Sequence, residues 1–328
     1  MRLANRCVLN HIPQVSGHRW LDTRASPDIA RLSLGHFWPV LVNNDPIPAT
    51  KTCSMSPPLV MIHGLMGSLN FFSAHERIPA LVVHTPDLMG YGEEQDTPFE
   101  AITLASQTAH VVRYLREVVV EPCVLLAHSV GGAIAMLVAR AAPDCVRGII
   151  NVEGNFTLED AFWCRKIAAL PTEDWHEEHR QLVGNPEAWL TNAGIAITPQ
   201  RLEWARLALA NQPRETIQPM AHAVVVETDT PDYMSRIRPT IESGTRLSLL
   251  AGARSASGWH MPDWAGAAAL EYVEQKDTGH MMMLEDPDEF CRIVADMAGR
   301  INEASLSASR CQAPHQSAIP HKHRTITS

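Results

Sequence analysis

Leu125-Leu126-Ala127-His128-Ser129-Val130-Gly131-Gly132 decides how this chain of 328 residues is read. The run from Pro122 to Ala127 is apolar without alternation, as in a parallel strand buried on both faces, and it stops at a serine set among small residues. From Gly132 to Arg140 the alanines, Ile134, Met136, Leu137 and Val138 have the character of a buried helix. A serine hydroxyl is a weak nucleophile, useful when a sharp strand-to-helix turn lifts it to where a histidine takes its proton. Small neighbours two positions away make such a turn sterically possible. Gly131 fills the downstream position of the G-x-S-x-G pattern, while Ala127 replaces the upstream glycine and adds one methyl group.

Two further segments supply what that serine needs, in the right chain order. Leu59-Val60-Met61-Ile62-His63-Gly64-Leu65-Met66-Gly67-Ser68 is an apolar strand running into a glycine-bearing loop that can present backbone N–H groups. Acyl transfer builds negative charge on a carbonyl oxygen, and donors fixed beforehand stabilise it better than mobile water. The amides of Leu65 and Val130 are the expected pair, with His63, Gly64, His128 and Trp163 expected to border the substrate. Downstream, His280 follows Gly279 on a loop before a C-terminal helix, in a G-H-x-x-x-x-E-x-P setting that sets it apart from the other histidines. It is the expected general base.

With Pro86-Asp87-Leu88-Met89-Gly90-Tyr91-Gly92 added, a P-D-x-x-G-x-G turn, the chain resembles the α/β-hydrolase superfamily, in its serine-nucleophile branch, from roughly residue 57 to residue 300. The resemblance implies an α/β fold, a mostly parallel sheet with helices on both faces and a helical lid inserted after the sixth strand. The triad acid departs from the commonest pattern. In most relatives the carboxylate follows the seventh strand in a G-x-x-D turn; here that strand is Arg246 to Ala251, and the aspartate slot holds Ser255. A neutral hydroxyl cannot stabilise an imidazolium, although it can orient the ring. A subset of relatives resembling haloalkane dehalogenases places the acid at the end of the sixth strand, where Val146 to Val152 ends in Glu153. Glu153 is the first choice and Asp263, after Trp259-His260-Met261-Pro262, the alternative; Asp277 lies too close to His280 in sequence.

These readings divide the chain into an N-terminal segment without clear pattern (1–30), a first core part (31–154), a helical lid (155–243), a second core part (244–304) and a tail expected to be disordered (305–328). Leu32 to Val42 reads as one or two antiparallel strands before a turn at Asn43-Asn44-Asp45-Pro46. In the lid, Thr198 and Pro199 open a helix as N-cap and first helical residue, with Leu202, Trp204, Ala205 and Leu209 as its apolar stripe. Trp163, Trp175, Trp189 and Trp204, half of the eight tryptophans, fall in the insertion and suggest an apolar cavity between lid and core. The tail is rich in Ser, His, Gln and Pro, and His321-Lys322-His323 within it reads as solvated.

Composition mainly excludes. A net charge of −9 with no Lys/Arg cluster argues against nucleic acid or anionic membrane surfaces as principal partners, so the expected partner is a small apolar molecule. The start lacks the continuous apolar core of a secretory signal, and no run reaches bilayer length. Seven scattered cysteines without C-x-x-C spacing fit reduced thiols in the cytoplasm. His176-Glu177-Glu178-His179 has its histidines three apart rather than four, which reads as a polar helix face and not a zinc motif. Neither a dinucleotide fingerprint nor a Walker A sequence occurs, so no metal or cofactor is implied. The expectation is a serine hydrolase acting on a small or medium apolar ester, thioester or lactone through an acyl-enzyme. Cofactor-free carbon–carbon hydrolysis, lyase or cyclase chemistry, and a non-catalytic ligand receptor on the same fold remain alternatives.

Overall fold

Period-two burial in two adjacent strands explains the architecture of the computed structural model, which describes residues 56–312. All four residues of β1 (Leu59–Ile62) are buried, but Val60 and Ile62 join one apolar cluster while Leu59 and Met61 join another. β3 (Cys123–His128) divides likewise, Leu125 and Ala127 to one side, Val124 and Leu126 to the other. A sheet apolar on both faces has to be covered on both, and each aliphatic side chain so buried contributes about 1.5–3 kcal/mol.

Six described strands, all parallel, run in the order β2-β1-β3-β4-β5-β6, with β2 at Val83–His84, β4 at Val146–Val152, β5 at Arg246–Gly252 and β6 at Glu271–Gln275. Helices α1 (Ala74–Arg77), α2 (Leu104–Tyr114) and α3 (Gly131–Ala141) lie between the first four strands. Between β4 and β5 stand α4 (Phe162–Ala169), α5 (Thr172–Gly184), α6 (Pro186–Asn192), α7 (Pro199–Ala210), α8 (Arg214–Thr228) and α9 (Pro231–Glu242). Helix α10 (Asp263–Ala268) precedes β6, and α11 (Met282–Glu285) and α12 (Pro287–Gln312) follow it. Val111 of α2 and Ile134 and Val138 of α3 pack on one face of the sheet; Phe290, Val294, Met297 and Ile301 of α12 pack on the other.

The chain leaves β1 for β2 on one side and returns to β3 on the other, so the loops at the carboxyl ends of β1 and β3 part from each other. A crevice opens at such a switch point, where open α/β sheets bind ligands. The loop after β1 and Ser129 after β3 both lie there.

Thr198 caps α7 as expected, its hydroxyl accepting the Arg201 N–H at 3.1 Å, and Trp204, Ala205 and Leu209 are buried while Leu202 is half-buried. Two expectations need correction. The tail does not begin at Ser305: α12 continues to Gln312, with Ser305 and Ser307 hydroxyls donating to the carbonyls of Ile301 and Glu303 at 2.9 Å. Nor is His176–His179 wholly polar surface, because His179 turns inward against Trp175 at a ring separation of 5.5 Å. The strands expected within 32–42, the segment 1–30 and His321-Lys322-His323 lie outside the described residues.

Candidate active site

Ser129 sits one residue beyond β3 at φ +56°, in the left-handed region that disfavours side chains. Such a conformation costs on the order of 1–3 kcal/mol and persists where the surroundings over-determine it. Here the Ser129 N–H donates to Val152 O at 3.1 Å, and Ser129 O accepts from Gly132 and Asn155 N–H groups at 2.9 Å each. The two glycines after it permit close approach of backbones. A Cβ on Gly131 would lie 2.6 Å from Ile62 O, and one on Gly132 would lie 2.6 Å from Gly154 Cα. Gly132→Ala is therefore expected to destabilise the fold by about 1–3 kcal/mol, measured by urea denaturation, because only backbone can give way.

His128 pairs with Val152 in the sheet, which puts Ser129 and Glu153 side by side at the ends of β3 and β4. Glu153 is also left-handed, at φ +40°, held by its N–H to Leu250 O at 3.0 Å, while the next amide, Gly154 N–H, donates to Asn151 Oδ1 at 2.6 Å. Its buried carboxylate has three partners. Oε2 lies 2.7 Å from His280 Nδ1; Oε1 accepts from Gly252 N–H at 2.8 Å and from the Ser255 hydroxyl at 2.5 Å. Burial alone would raise the Glu153 pKa, but the hydrogen bond and charge of His280, with Ser255 and Gly252, together hold it below the usual carboxylate range. The serine in the slot that relatives give to aspartate is thus a donor to the glutamate on the neighbouring strand.

Ser129 and His280 line one cavity of about 320 Å³, with Leu65, Val130 and Glu153. Phe162, Trp163 and Trp259 supply its apolar wall; Asn155 and Asp160 are among its polar residues. Among the described residues, neither the Ser129 hydroxyl nor His280 Nε2 is occupied by a protein hydrogen bond, and the N–H groups of Leu65 and Val130 are likewise free of protein acceptors. Catalytic hydrogen bonds commonly tighten only around a substrate. Cys164 also lines the cavity, but burial pushes its thiol up to about 12, which keeps it protonated near neutral pH.

Three residues expected against the substrate are elsewhere. His63 is buried beneath the loop after β1: its Nε2 accepts from Leu88 N–H at 3.1 Å, which leaves Nδ1–H to donate to Gly64 O at 2.9 Å. Burial lowers its pKa, in keeping with a neutral ring. His128 is buried as well, and burial together with His280 lowers its pKa well below the ordinary histidine value. Its Nε2 lies 3.0 Å from His280 O, so the neutral ring donates there and fixes the backbone of the His280 loop. Gly64 does not line the cavity; a Cβ on it would lie 3.0 Å from Ser129 Cβ, which makes it a spacer for the turn. Trp163 does line the cavity. Asp263 is exposed at the start of α10 and has no bond to His280.

Other residues of the site carry no signal in the sequence. Trp259 donates from Nε1 to Gly154 O at 3.0 Å and stacks on Phe156. Asp160 accepts from Phe156 and Thr157 N–H groups at 2.9 and 3.1 Å and from His260 N–H at 2.8 Å, tying the start of the insertion to the loop after β5. Only Ser255 stands out among the residues, as the neutral one in an acid's usual place.

A parallel sheet covered on both faces, with a left-handed serine after a central strand and a histidine–carboxylate pair beside it, defines the α/β-hydrolase class. The chain belongs to the Alpha/beta hydrolase family, whose match covers residues 59–293. It is similar to the sn-1-specific diacylglycerol lipase ABHD11 of Danio rerio, 32% identical over 112 residues, which are 32% of this chain and 34% of that one. It is also similar to the pimeloyl-[acyl-carrier protein] methyl ester esterase of Yersinia pseudotuberculosis, 33% identical over 106 residues, 31% of this chain and 39% of that one. The matches thus span only about a third of the length of these relatives. Among solved structures, a carboxylesterase of Nitrososphaera gargenis shares the fold at a TM-score of 0.60 and 18% identity, over 76% of this chain and 92% of that one.

Proposed function

We propose that the protein is a serine hydrolase of small or medium apolar esters, with Ser129 as nucleophile, His280 as base and Glu153 as acid. The observation that carries this reading is the 2.7 Å pair between Glu153 Oε2 and His280 Nδ1 at the cavity that Ser129 also lines. With Nδ1–H given to Glu153, the free electron pair of His280 is on Nε2, the nitrogen that must take the serine proton.

In the first half-reaction Ser129 Oγ attacks the ester carbonyl as His280 Nε2 takes the hydroxyl proton. The oxygen that becomes negative is received by the N–H groups of Leu65 and Val130. Collapse of the tetrahedral species breaks the bond to the alcohol, which leaves with the proton from His280. Water then attacks the acyl-enzyme by the same path and releases the acid and free Ser129. A cavity of about 320 Å³ is near the lower end for small-molecule sites, and its Phe162, Trp163 and Trp259 wall favours an apolar acyl or alcohol group. The curated relatives are named as enzymes of ester substrates, in keeping with this chemistry. In this reading helices α4–α9 form the lid. Cys123, Cys145, Cys164 and Cys291 are free thiols, and no helix of the described residues is long and apolar enough to cross a membrane. The free thiols support a cytoplasmic location.

The test is a fluorophosphonate probe, with the adduct located by mass spectrometry, followed by a panel of esters, thioesters, lactones and diketones. The expected result is stoichiometric labelling of Ser129 and fastest turnover of short p-nitrophenyl esters. A diketone cleaved far faster than every ester would establish carbon–carbon hydrolysis instead. Ligand binding without labelling or turnover would establish a receptor.

A further inference from the structure

The loop that carries Leu65 is gripped from the helical insertion. Gly67 N–H donates to Gln212 Oε1 at 2.8 Å, and Gln212, buried, is itself fixed by Nε2 donating to Leu209 O at 3.0 Å. Next to it, Asn211 Nδ2 donates to Gly67 O at 3.2 Å and to Asp87 Oδ1 at 3.1 Å, while Asn211 O accepts from Gly92 N–H at 2.7 Å. The junction between α7 and α8 therefore holds the loop after β1 and the turn after β2 together. From that turn, the buried Tyr91 hydroxyl donates to Leu65 O at 2.8 Å.

Gly67 has φ +98°, a conformation that glycine adopts without selecting it over others. Something outside the loop has to choose it. Withdrawal of Gln212 would leave Gly67 N–H without its buried acceptor, a loss that favours rearrangement of the loop. Because only Met66 separates Gly67 from Leu65, rearrangement at Gly67 would turn the Leu65 N–H away from the developing oxyanion. Donors of this kind act through pre-set geometry, and small misplacement is costly.

We propose that Gln212 is a positioning residue for the oxyanion loop, so that the Leu65 donor is in place only while the α7–α8 junction is seated. This rests on the serine-hydrolase reading above. Gln212→Leu removes the acceptor while keeping similar bulk; Gln212→Glu keeps an acceptor for Gly67 N–H and, as the buried carboxylic acid, an O–H donor for Leu209 O. In the full chain, Gln212→Leu is expected to lower kcat on a short p-nitrophenyl ester about 10- to 100-fold, with KM within about threefold. It should weaken a trifluoromethyl ketone, which forms an oxyanion on Ser129, by the same factor and leave inhibition by the product alcohol unchanged. Gln212→Glu should restore most of kcat.

Wild-type kcat in Gln212→Leu, or equal weakening of the ketone and the alcohol, would overturn the proposal. Should Gln212→Leu not fold, Gln212→Asn, which retracts the acceptor by one methylene, carries the same comparison with the same outcomes. Failure of the underlying reading looks different: wild-type protein would then show no fluorophosphonate adduct on Ser129 and no preference for the ketone over the alcohol.

Discussion

Ser129→Ala is expected to lower kcat by about 10⁴- to 10⁶-fold, the range in which loss of a triad serine removes covalent catalysis. The effect should be chemical and not a folding defect. The turn at position 129 is fixed by backbone bonds, from its N–H to Val152 O and from Gly132 and Asn155 N–H groups to its carbonyl, and none uses the hydroxyl. Alanine keeps the Cβ that already occupies the left-handed position. A residual rate about 10³- to 10⁴-fold above water is expected from the cavity and its N–H donors alone. The measurement is steady-state turnover with purified variant, free of wild-type contamination, beside a urea melt. Turnover within tenfold of wild type would remove Ser129 from the mechanism.

Glu153→Gln is expected to cost about 10⁴-fold in kcat with little change in KM, the magnitude seen when a triad acid becomes an amide. The reason is tautomeric. Gly252 N–H and the Ser255 hydroxyl both donate to one oxygen of residue 153, so the amide oxygen of glutamine belongs there and its NH₂ faces His280 Nδ1. That nitrogen must then accept, which moves the ring proton to Nε2 and removes the base. Asp263→Asn, by contrast, should leave kcat within about twofold, since that side chain is exposed and away from His280. The proximity of Ser255 gives a second arm. In Glu153→Asn the shorter amide vacates space and asparagine tolerates a positive φ, so adding Ser255→Asp is expected to regain at least tenfold of the lost rate. No gain in the double variant would mean that the loop after β5 cannot hold a working acid. Stability gives a separate check: the lowered Glu153 pKa means that its contribution is present above the ordinary carboxylate range and lost as pH falls through its native value. Glu153→Gln should flatten that part of the acid-unfolding curve.

Much of the arrangement is legible in the residues because it lies in runs of one kind. β1, β3, β4 and β5 are largely apolar stretches, and the residues that follow their carboxyl ends name the crevice. Glu153 emerges from asking what could replace the missing carboxylate at Ser255. The histidines are harder. His63 and His128 flank the motifs as a substrate contact would, yet both turn under the loops, and only the partners of their ring nitrogens reveal this. Asn211 and Gln212 carry no signal in the sequence, because their partners at Gly67, Asp87 and Gly92 lie more than a hundred positions away in the chain. The last turns of α12 escape a sequence reading because Ser and Ala leave no apolar stripe there; hydroxyl bonds to carbonyls one turn back are invisible to a hydrophobic pattern.

In the proposed mechanism Ser129 and Glu153 follow neighbouring strands, and the segment beyond Ser255 has no part in the proton relay. It carries Trp259 into the wall of the cavity, anchored by Gly154 O and by the Phe156 ring. Selectivity can then drift by exchange of this one stretch while the reactive atoms keep their places, so Trp259 is where redesign for bulkier acyl groups should begin.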